Sequence, residues 1–488
     1  MTESKTFITS VCWYLYSMKD KLIRILVYPN ITNWKNRNIE HLEQDSYVQV
    51  IRNQISQLNE IRSDLFFYLV LPQIVPSLRF DNATPLITTV SPSKHFKDYS
   101  KKELKELLDG KKFDLPTYAP TMRSHFDVEF MRKLLGTQYD FDLVMSHLPE
   151  HTHELKNTMY NTTHHTPLFF GYVHWFDIKG VVKTSIDSFL QNITGLLEMD
   201  RCYMNTHSQK KLVLEQASET FNDKTLKKID DILHIQHLGV SEKDTTNEIS
   251  SAPRKRIVFN HRPDTYKHFN SFMNVMDMLR EQRQDFDVWV PLLSKSNREW
   301  VITDNGDGSK EWYYNELKKC CVGYSPKQKY NGWSVATTDG MMNGLPYIMF
   351  DADYYRELCD RSDFFKNDDE TLQLLNKYLD DTDYRNRKAS ETLDYIKNEL
   401  IYKEKLIVMS DYIDELLDKS KSTSTDSKVM QQLVSIIKDS TNGISKQEMF
   451  KQLNWGRGIK FSPYRRGLMQ HKNIFDVGRK TPLYIWKE

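Results

Sequence analysis

The sequence predicts an α/β protein with two Rossmann-like domains followed by a small basic module. Its 488 residues exceed one ordinary hydrophobic core and indicate two to three domains. Short apolar runs alternate with amphipathic helical patterns along most of the chain. Charge is uneven: residues 427–488 carry 12 Lys/Arg against 4 Asp/Glu, so this end is +8 and the remainder is −7. Such asymmetry points to nucleic acid or an acidic surface as a partner.

The apolar runs predict buried strands, because each is short and ends in a polar or proline-containing loop. They lie at 22–29, 64–72, 140–147, 168–175 and 201–206 in the first half, and at 256–261, 287–293 and 345–351 in the second. Helical patterns lie between them, as at 268–282 and 370–381. Apolar strands that alternate with helices indicate parallel sheets covered on both faces.

Two polar segments predict the domain boundaries. One is the stretch 241–256, which is polar and contains a proline, and the other is the Ser/Thr/Lys-rich stretch 419–427. The predicted units are a first Rossmann-like domain at 1–250, a second at 251–418, a linker at 419–427 and a basic module at 428–488. Two such domains would face each other across a cleft, where ligands bind beyond the carboxyl ends of the strands.

Two cations follow the strand predicted at 256–261. Arg262 and Lys267 are five residues apart at a strand-to-helix junction. Arginine can bind two oxygens of one anion, lysine acts as a point charge, and a helix N-terminus adds its dipole. The pair therefore predicts a diphosphate site. The alternative is two solvated surface cations.

The segment 331–351 predicts a glycine-containing turn, a helix, a C-cap at Gly344, then Pro346 and a strand. Ser334 would begin the helix, where backbone N–H groups can bind a phosphate, and Asp339 would offer a carboxylate to a ribose. Simple helix punctuation would explain Gly344 and Pro346, but it leaves Asp339 unexplained in an otherwise apolar segment.

Together these segments resemble the nucleotide-sugar half of GT-B glycosyltransferases, in particular the retaining family of glycogen and sucrose synthases. The likeness covers about residues 250–410. The family carries Arg, Lys five residues later, and the pattern E-G-x-G-x-x-x-x-E-A-x-A-x-G-x-P-V-I, where this chain has NGWSVATTDGMMNGLPYI. The resemblance implies a UDP-sugar donor, a ribose contact for Asp339 and no catalytic metal. Asn331 stands where the family has its first acid.

The segment 169–180 places His174 and Asp177 just after a predicted strand. It resembles a strand end of phage enzymes that glucosylate hydroxymethylated cytosine in DNA. The imidazole would bind a sugar hydroxyl, and the carboxylate would take the acceptor proton if the reaction inverts. The alternative is a structural role for both. The His-rich segments 145–155 and 162–167 lack a Cys or carboxylate at ligand spacing, so no metal is expected there.

The basic module predicts three helices and a hairpin, which together form a winged helix. A helical stripe covers 427–440, Ser445 and Glu448 form a capping box, and Ser462-Pro463 would begin a third helix. A recognition helix and a basic wing would contact duplex DNA, although some winged helices bind proteins instead. The predicted DNA-binding residues are Arg457, Lys460, Tyr464, Arg465, Arg466, Arg479 and Lys480.

These features predict a phage-type DNA-modifying glycosyltransferase. It would move glucose or arabinose from a UDP-sugar to the hydroxyl of 5-hydroxymethylcytosine in duplex DNA, with the base flipped into the cleft. The alternatives are a transferase acting on a protein or cell-wall glycan, and a DNA-binding regulator that senses nucleotide-sugars. Scattered cysteines and the absence of a run near the ~20 apolar residues of a membrane span favour the cytoplasm of an infected bacterial host and no membrane partner.

Overall fold

A computed structural model describes most of the chain. The described residues are 22–31, 46–71, 78, 80, 82–87, 128–136, 141–163, 167–173, 176–178, 186–423, 427–440, 444–452, 474–476 and 483–486. Within them two separate parallel sheets are covered by helices, which confirms the α/β class and the two Rossmann-like sheets predicted from the sequence.

The first sheet has seven strands, all parallel. They are β1 (Ile23–Tyr28), β2 (Leu65–Leu71), β3 (Ala83–Ile87), β4 (Leu143–Ser146), β5 (Leu168–Tyr172), β6 (Arg201–Met204) and β7 (Leu233–Ile235). Their spatial order is β3-β2-β1-β4-β5-β6-β7. The helices of this half are α1 (Ser46–Ile61), α2 (Val128–Gly136), α3 (Thr152–Thr163), α4 (Ile186–Leu196), α5 (His207–Ser218) and α6 (Asp223–Ile232).

The second sheet has six parallel strands. They are β8 (Arg256–Val258), β9 (Asp287–Trp289), β10 (Val301–Ile302), β11 (Val322–Ser325), β12 (Tyr347–Phe350) and β13 (Asp363–Phe365). Their order is β10-β9-β8-β11-β12-β13. The accompanying helices are α7 (Phe269–Gln282), α8 (Lys310–Leu317), α9 (Val335–Met342), α10 (Asp353–Leu358), α11 (Asp368–Asp380) and α12 (Thr382–Glu399).

The central strands of both sheets are apolar on both faces, which is why they form continuous buried runs rather than alternating patterns. Leu26 and Val144 in the first sheet, and Ile257 and Ile348 in the second, are fully buried. All eight strands predicted from the sequence are present, each within the predicted range or ending a few residues short of it. Strands β3, β7, β10, β11 and β13, which are two to five residues long, were not predicted from the sequence.

From about residue 400 the chain packs again on the half of the molecule that contains the first sheet. An isolated parallel bridge joins Val240 to Ile401, and α13 (Tyr402–Thr423) then packs against α1. Arg62 binds Asp414 of α13 at 2.6 Å. The residues from 402 to 418, which the sequence assigns to the second unit, therefore pack on the first. The predicted linker at 419–427 is also helical as far as Thr423, because lysine and serine at a helix C-terminus continue the helix at little cost.

The basic end of the chain is described only in part. It contains α14 (Ser427–Lys438), β14 (Ile444–Ser445), α15 (Lys446–Gln452), β15 (Ile474–Asp476) and β16 (Leu483–Trp486). The predicted capping box is present: the Ser445 backbone N–H donates to Glu448 at 2.9 Å, and the Glu448 N–H donates to the Ser445 hydroxyl at 3.3 Å. The three strands form an antiparallel sheet, β14-β16-β15. The predicted third helix lies outside the described residues, so the winged helix stays a prediction.

None of the helices in the described part of the chain is both long and apolar enough to cross a membrane.

Candidate functional site

The second sheet has the strand order 3-2-1-4-5-6 when its strands are counted from β8. In such sheets the order reverses between the first and fourth strands, and a crevice opens there beyond the carboxyl ends. The segment that leaves β8 contains Asn260, His261 and Arg262, and the segment that leaves β11 contains Gln328. The predicted diphosphate residues therefore begin at this switch point.

Arg262 and Lys267 are brought close together there. Arg262 is exposed, and Lys267 is half-buried, with its ammonium donating a hydrogen bond to the Gln328 side-chain carbonyl. Burial, together with the positive charge of Arg262, lowers the pKa of Lys267 to about 8, against a smaller opposing effect of Asp264. An anion bound between the two cations would relieve both the burial cost and their mutual repulsion.

Helix α9 begins on the same side of the sheet. Ser334 is its N-cap, and its hydroxyl accepts a hydrogen bond from the Ala336 N–H at 3.3 Å. Asn260 holds this end of the helix in place, because its side-chain amide donates to the Ala336 carbonyl at 2.6 Å and to the Tyr313 hydroxyl at 2.8 Å. The helix N-terminus is thereby held against the segment that carries Arg262.

Gly344 ends α9 as the sequence predicts. Its φ is 73°, in the left-handed region, and its N–H donates to the Met341 carbonyl at 3.1 Å. A Cβ at this position would lie 2.3 Å from the Glu248 carbonyl oxygen. Glycine is therefore required both by the backbone conformation and by the close approach of a neighbouring segment.

Asp339 is the fifth residue of α9, on the side that faces α8. Its carboxylate accepts a long hydrogen bond from the Tyr314 hydroxyl at 3.5 Å. Burial raises the pKa of Asp339 to about 6, while the positive charge of Lys310 opposes that rise and the negative charge of Asp244 adds to it. The residue stays largely ionised at neutral pH and can accept hydrogen bonds from hydroxyl groups.

The first sheet repeats the same strand order, and its switch point lies between β1 and β4. Asn30 follows β1 and His147 follows β4, and both are buried. Within the described residues, neither the ring nitrogens of His147 nor the Asn30 side-chain oxygen have a hydrogen-bond partner. Burial lowers the pKa of His147 to about 3, so its imidazole is neutral. The sequence placed His147 in a His-rich segment without a role.

The predicted catalytic pair is only partly described. Asp177 follows β5 and is buried, and its backbone N–H donates to the Asn192 side chain at 2.8 Å. His174 lies outside the described residues. Because β5 is parallel to β6, Asp177 belongs to the same carboxyl edge as Asn205 and Thr206, which follow β6.

Contacts join the carboxyl edges of the two sheets directly. The Thr206 hydroxyl donates to the Asn331 carbonyl at 2.6 Å, and it also caps α5 by accepting from the Gln209 N–H at 2.9 Å. Asn331 has a φ of 51°, which asparagine tolerates better than other residues with a side chain. The position that holds an acid in the glycogen and sucrose synthase family is thus a backbone contact between the two halves here.

Glu357 of α10 makes a second connection. Its carboxylate accepts from the backbone N–H groups of His207 at 2.8 Å and Ser208 at 3.2 Å, the first residues of α5. A carboxylate at a helix N-terminus satisfies unpaired donors and complements the helix dipole. Sequence reasoning missed this connection, since the partners are 150 residues apart.

The seven predicted DNA-binding residues lie outside the described residues. They are Arg457, Lys460, Tyr464, Arg465, Arg466, Arg479 and Lys480. Their role in DNA binding remains a prediction from charge and sequence pattern.

Comparison with solved structures identifies the fold. The chain is similar to trehalose-6-phosphate synthase OtsA, with a TM-score of 0.56 and 12% identity over 81% of this chain and 98% of that one. A structure described as trehalose-6-phosphate from E. coli bound with UDP-2-fluoro glucose has a TM-score of 0.54 and 12% identity, over 81% of this chain and 98% of that one. The structure of TarM has a TM-score of 0.53 and 9% identity, over 81% of this chain and 98% of that one. No protein-family model and no curated protein sequence matches the chain.

These likenesses, together with two parallel sheets whose switch points carry polar side chains, define the class: the chain has the GT-B glycosyltransferase fold. At 9–12% identity the similarity concerns the fold alone. The chemistry of this chain depends on its own residues.

Proposed function

We propose that this protein is a glycosyltransferase that uses a UDP-sugar donor bound at the switch point of the second sheet. The observation that carries the proposal is the pairing of Arg262 and Lys267 beside the capped N-terminus of α9. Both cations and the helix dipole favour an anion at one place. The E. coli structure with UDP-2-fluoro glucose has the same fold and supports a uridine nucleotide-sugar as the donor.

The cations would act on the leaving group. When the bond between the sugar and the diphosphate breaks, negative charge grows on the diphosphate oxygens. Arg262 and Lys267 would stabilise that charge more strongly in the transition state than in the ground state, and this difference is what accelerates the reaction. Asp339 would accept hydrogen bonds from the ribose, either beside or in place of the Tyr314 hydroxyl.

The acceptor would enter from the first sheet. Asp177 lies at its carboxyl edge, and His174 is three residues earlier in the chain. If the reaction inverts, Asp177 would act as the general base that takes the proton of the acceptor hydroxyl. His174 would form a hydrogen bond with a hydroxyl of the sugar. The sugar is glucose or arabinose.

For the acceptor we propose 5-hydroxymethylcytosine in duplex DNA. The basic module carries a charge of +8 on a body of −7, and duplex phosphates favour that density of cations through counterion release. A tethered duplex would present a flipped base to the cleft, where its hydroxymethyl group is a more nucleophilic alcohol than any atom of an unmodified base. The alternatives are a protein or cell-wall glycan acceptor, and nucleotide-sugar sensing without turnover.

Nucleoside mass spectrometry tests the proposal. The full chain is incubated with hydroxymethylcytosine duplex and a mixture of UDP-sugars, and the digested nucleosides are weighed. A mass gain of a hexose or a pentose supports the proposal and identifies the class of sugar. No gain on either hydroxymethylcytosine or hydroxymethyluracil DNA rules out the DNA acceptor. Transfer of the sugar to a glycan acceptor with release of UDP would then support the first alternative, and UDP-sugar binding without turnover would support the second.

The basic module has its own control. Arg479→Ala with Lys480→Ala should weaken duplex binding and lower the slope of log affinity against log salt by about 2, because two DNA phosphates would no longer be neutralised. UDP binding should stay unchanged in this variant. An unchanged salt slope would instead favour a protein-binding role for the module.

A further inference from the structure

Three side chains from distant parts of the sequence converge beside the contacts that join the two halves. His207 is the first residue of α5, His237 follows β7, and Glu357 lies in α10. One nitrogen of each histidine and one carboxylate oxygen lie within 4.8 Å of one another. The His207 Nδ1 is 3.1 Å from the Glu357 carboxylate, and the two imidazole rings are 6.3 Å apart.

The hydrogen bonds around these residues hold them in the orientation that a metal site requires. The His237 Nδ1 lies 2.6 Å from the Asn205 carbonyl oxygen, so Nδ1 carries the proton and Nε2 keeps its lone pair. Histidines that bind metals commonly donate their other ring N–H to a backbone carbonyl in this way. Glu357 is oriented independently, because the N–H and hydroxyl of Ser208 both donate to it, at 3.2 and 3.1 Å.

We propose that His207, His237 and Glu357 bind one Zn²⁺ ion that joins the two halves of the molecule. Two imidazole nitrogens and one carboxylate oxygen form a ligand set that suits zinc, with water in the fourth position. The His207 side chain is 73% exposed, which leaves a path for the ion and room for that water.

The position of the ion indicates its role. The His237 ring packs against Trp333 with centroids 5.2 Å apart, and Thr206, next to His207, binds Asn331. Both contacts reach the loop that leads into α9. A zinc ion here would hold that loop at a fixed distance from the first sheet. This inference does not depend on the identity of the sugar or of the acceptor.

Calorimetric titration of the chelator-treated full chain with Zn²⁺ alone provides the test. We expect one ion per chain in the wild type and an affinity loss of more than about 100-fold in His207→Ala, since removal of a ligand costs more than removal of its supporting partner. His207 is exposed, so this variant should fold normally. His153→Ala, an exposed histidine on α3, is the matched control and should retain wild-type affinity.

Glu357→Gln separates zinc binding from helix capping. Glutamine keeps one of the two oxygens that accept from the N-terminus of α5 and loses the charge that zinc prefers, so Zn²⁺ affinity should fall strongly while the melting temperature without zinc falls only by the loss of one capping acceptor. X-ray absorption of the zinc-loaded wild type should give two imidazole nitrogens at about 2.0–2.1 Å. Equal affinity in the wild type and His207→Ala, or an absence of zinc binding in His153→Ala, would overturn the proposal and leave the cluster as an ordinary hydrogen-bonded contact between the two halves.

Discussion

The two sheets share one strand order but carry different chemistry at their switch points. Beyond β8 and β11 of the second sheet lie Arg262 and Lys267, two cations close enough that the charge of Arg262 lowers the pKa of Lys267. Beyond β1 and β4 of the first sheet lie Asn30 and His147, which are neutral and buried. The topology determines where a crevice forms, and the side chains determine what it can hold.

The difference suits the binding of a charged donor at one switch point and of a neutral acceptor at the other. A diphosphate needs positive charge, which the second switch point provides through the exposed Arg262 and the half-buried Lys267. A neutral alcohol needs hydrogen-bonding groups, and the first switch point has buried groups of that kind without partners among the described residues. Substitutions at each switch point should therefore have different consequences.

Removal of a cation should have the largest effect. Arg262→Ala should lower the rate of sugar transfer by roughly 10²–10³-fold, because charge on the departing diphosphate loses a donor in the transition state. Initial rates of UDP release measure this. Arg298→Ala is the control, since Arg298 is an exposed arginine of the same half paired with Asp277 at 2.6 Å. Equal rates in the two variants would contradict the proposal that the donor binds at the second switch point.

Asp339→Asn should weaken UDP binding by about 20-fold, because a hydrogen bond to a charged group contributes on the order of 1.5–3 kcal/mol. The loss should vanish for 2′,3′-dideoxy-UDP, which has no ribose hydroxyls to bind. Calorimetry with both nucleotides gives the comparison. A loss of the same size for both would show that Asp339 supports α9 rather than the ribose.

Lys267 should make UDP affinity depend on pH. Its pKa of about 8 in the free protein means that the ammonium is present below pH 8 and is lost as pH rises through 8. Diphosphate binds the protonated form, so affinity should fall about tenfold between pH 7 and pH 9, following the protonated fraction. Lys267→Arg should abolish this dependence, since guanidinium stays charged. The same profile in both proteins would assign the titration to another group.

The smallest effect concerns the first switch point. His147→Leu should raise the free energy of unfolding by about 1 kcal/mol, because it removes a buried imidazole that has no partner among the described residues. It should also slow transfer without changing UDP affinity. His151→Leu is the matched control: the His151 Nδ1 lies 3.3 Å from the Tyr28 hydroxyl, so that variant should lose stability. Chemical denaturation compares them. Destabilisation by both would give His147 a structural role.

Much of the fold could be predicted because its signals are local. The apolar runs around Leu26 and Ile348 identify buried strands, and Gly344 followed by Pro346 identifies the end of α9. The placement of Arg262 and Lys267 at the end of a strand could be predicted, because both follow an apolar run closely in the sequence. Each of these features is encoded by neighbouring residues.

Other features are decided between distant segments. Helix α13 has an ordinary amphipathic pattern, and only packing reveals that it returns to α1. The five missed strands form because neighbouring strands already provide their hydrogen bonds. The environment of Asp339 depends on Tyr314 and Lys310, which lie on another helix.

The α/β class, the positions of the long strands, the cations of the second switch point and the charge of the C-terminal end can all be read from the amino-acid sequence. Period, composition and strand-to-helix junctions are properties of short segments, so no tertiary information is needed for them. The burial of His147, the Thr206–Asn331 contact and the meeting of His207, His237 and Glu357 arise only in the folded chain. In these contacts, segments up to 150 residues apart in the chain come within hydrogen-bond distance. They do so because the burial of apolar side chains drives the packing of the sheets and helices.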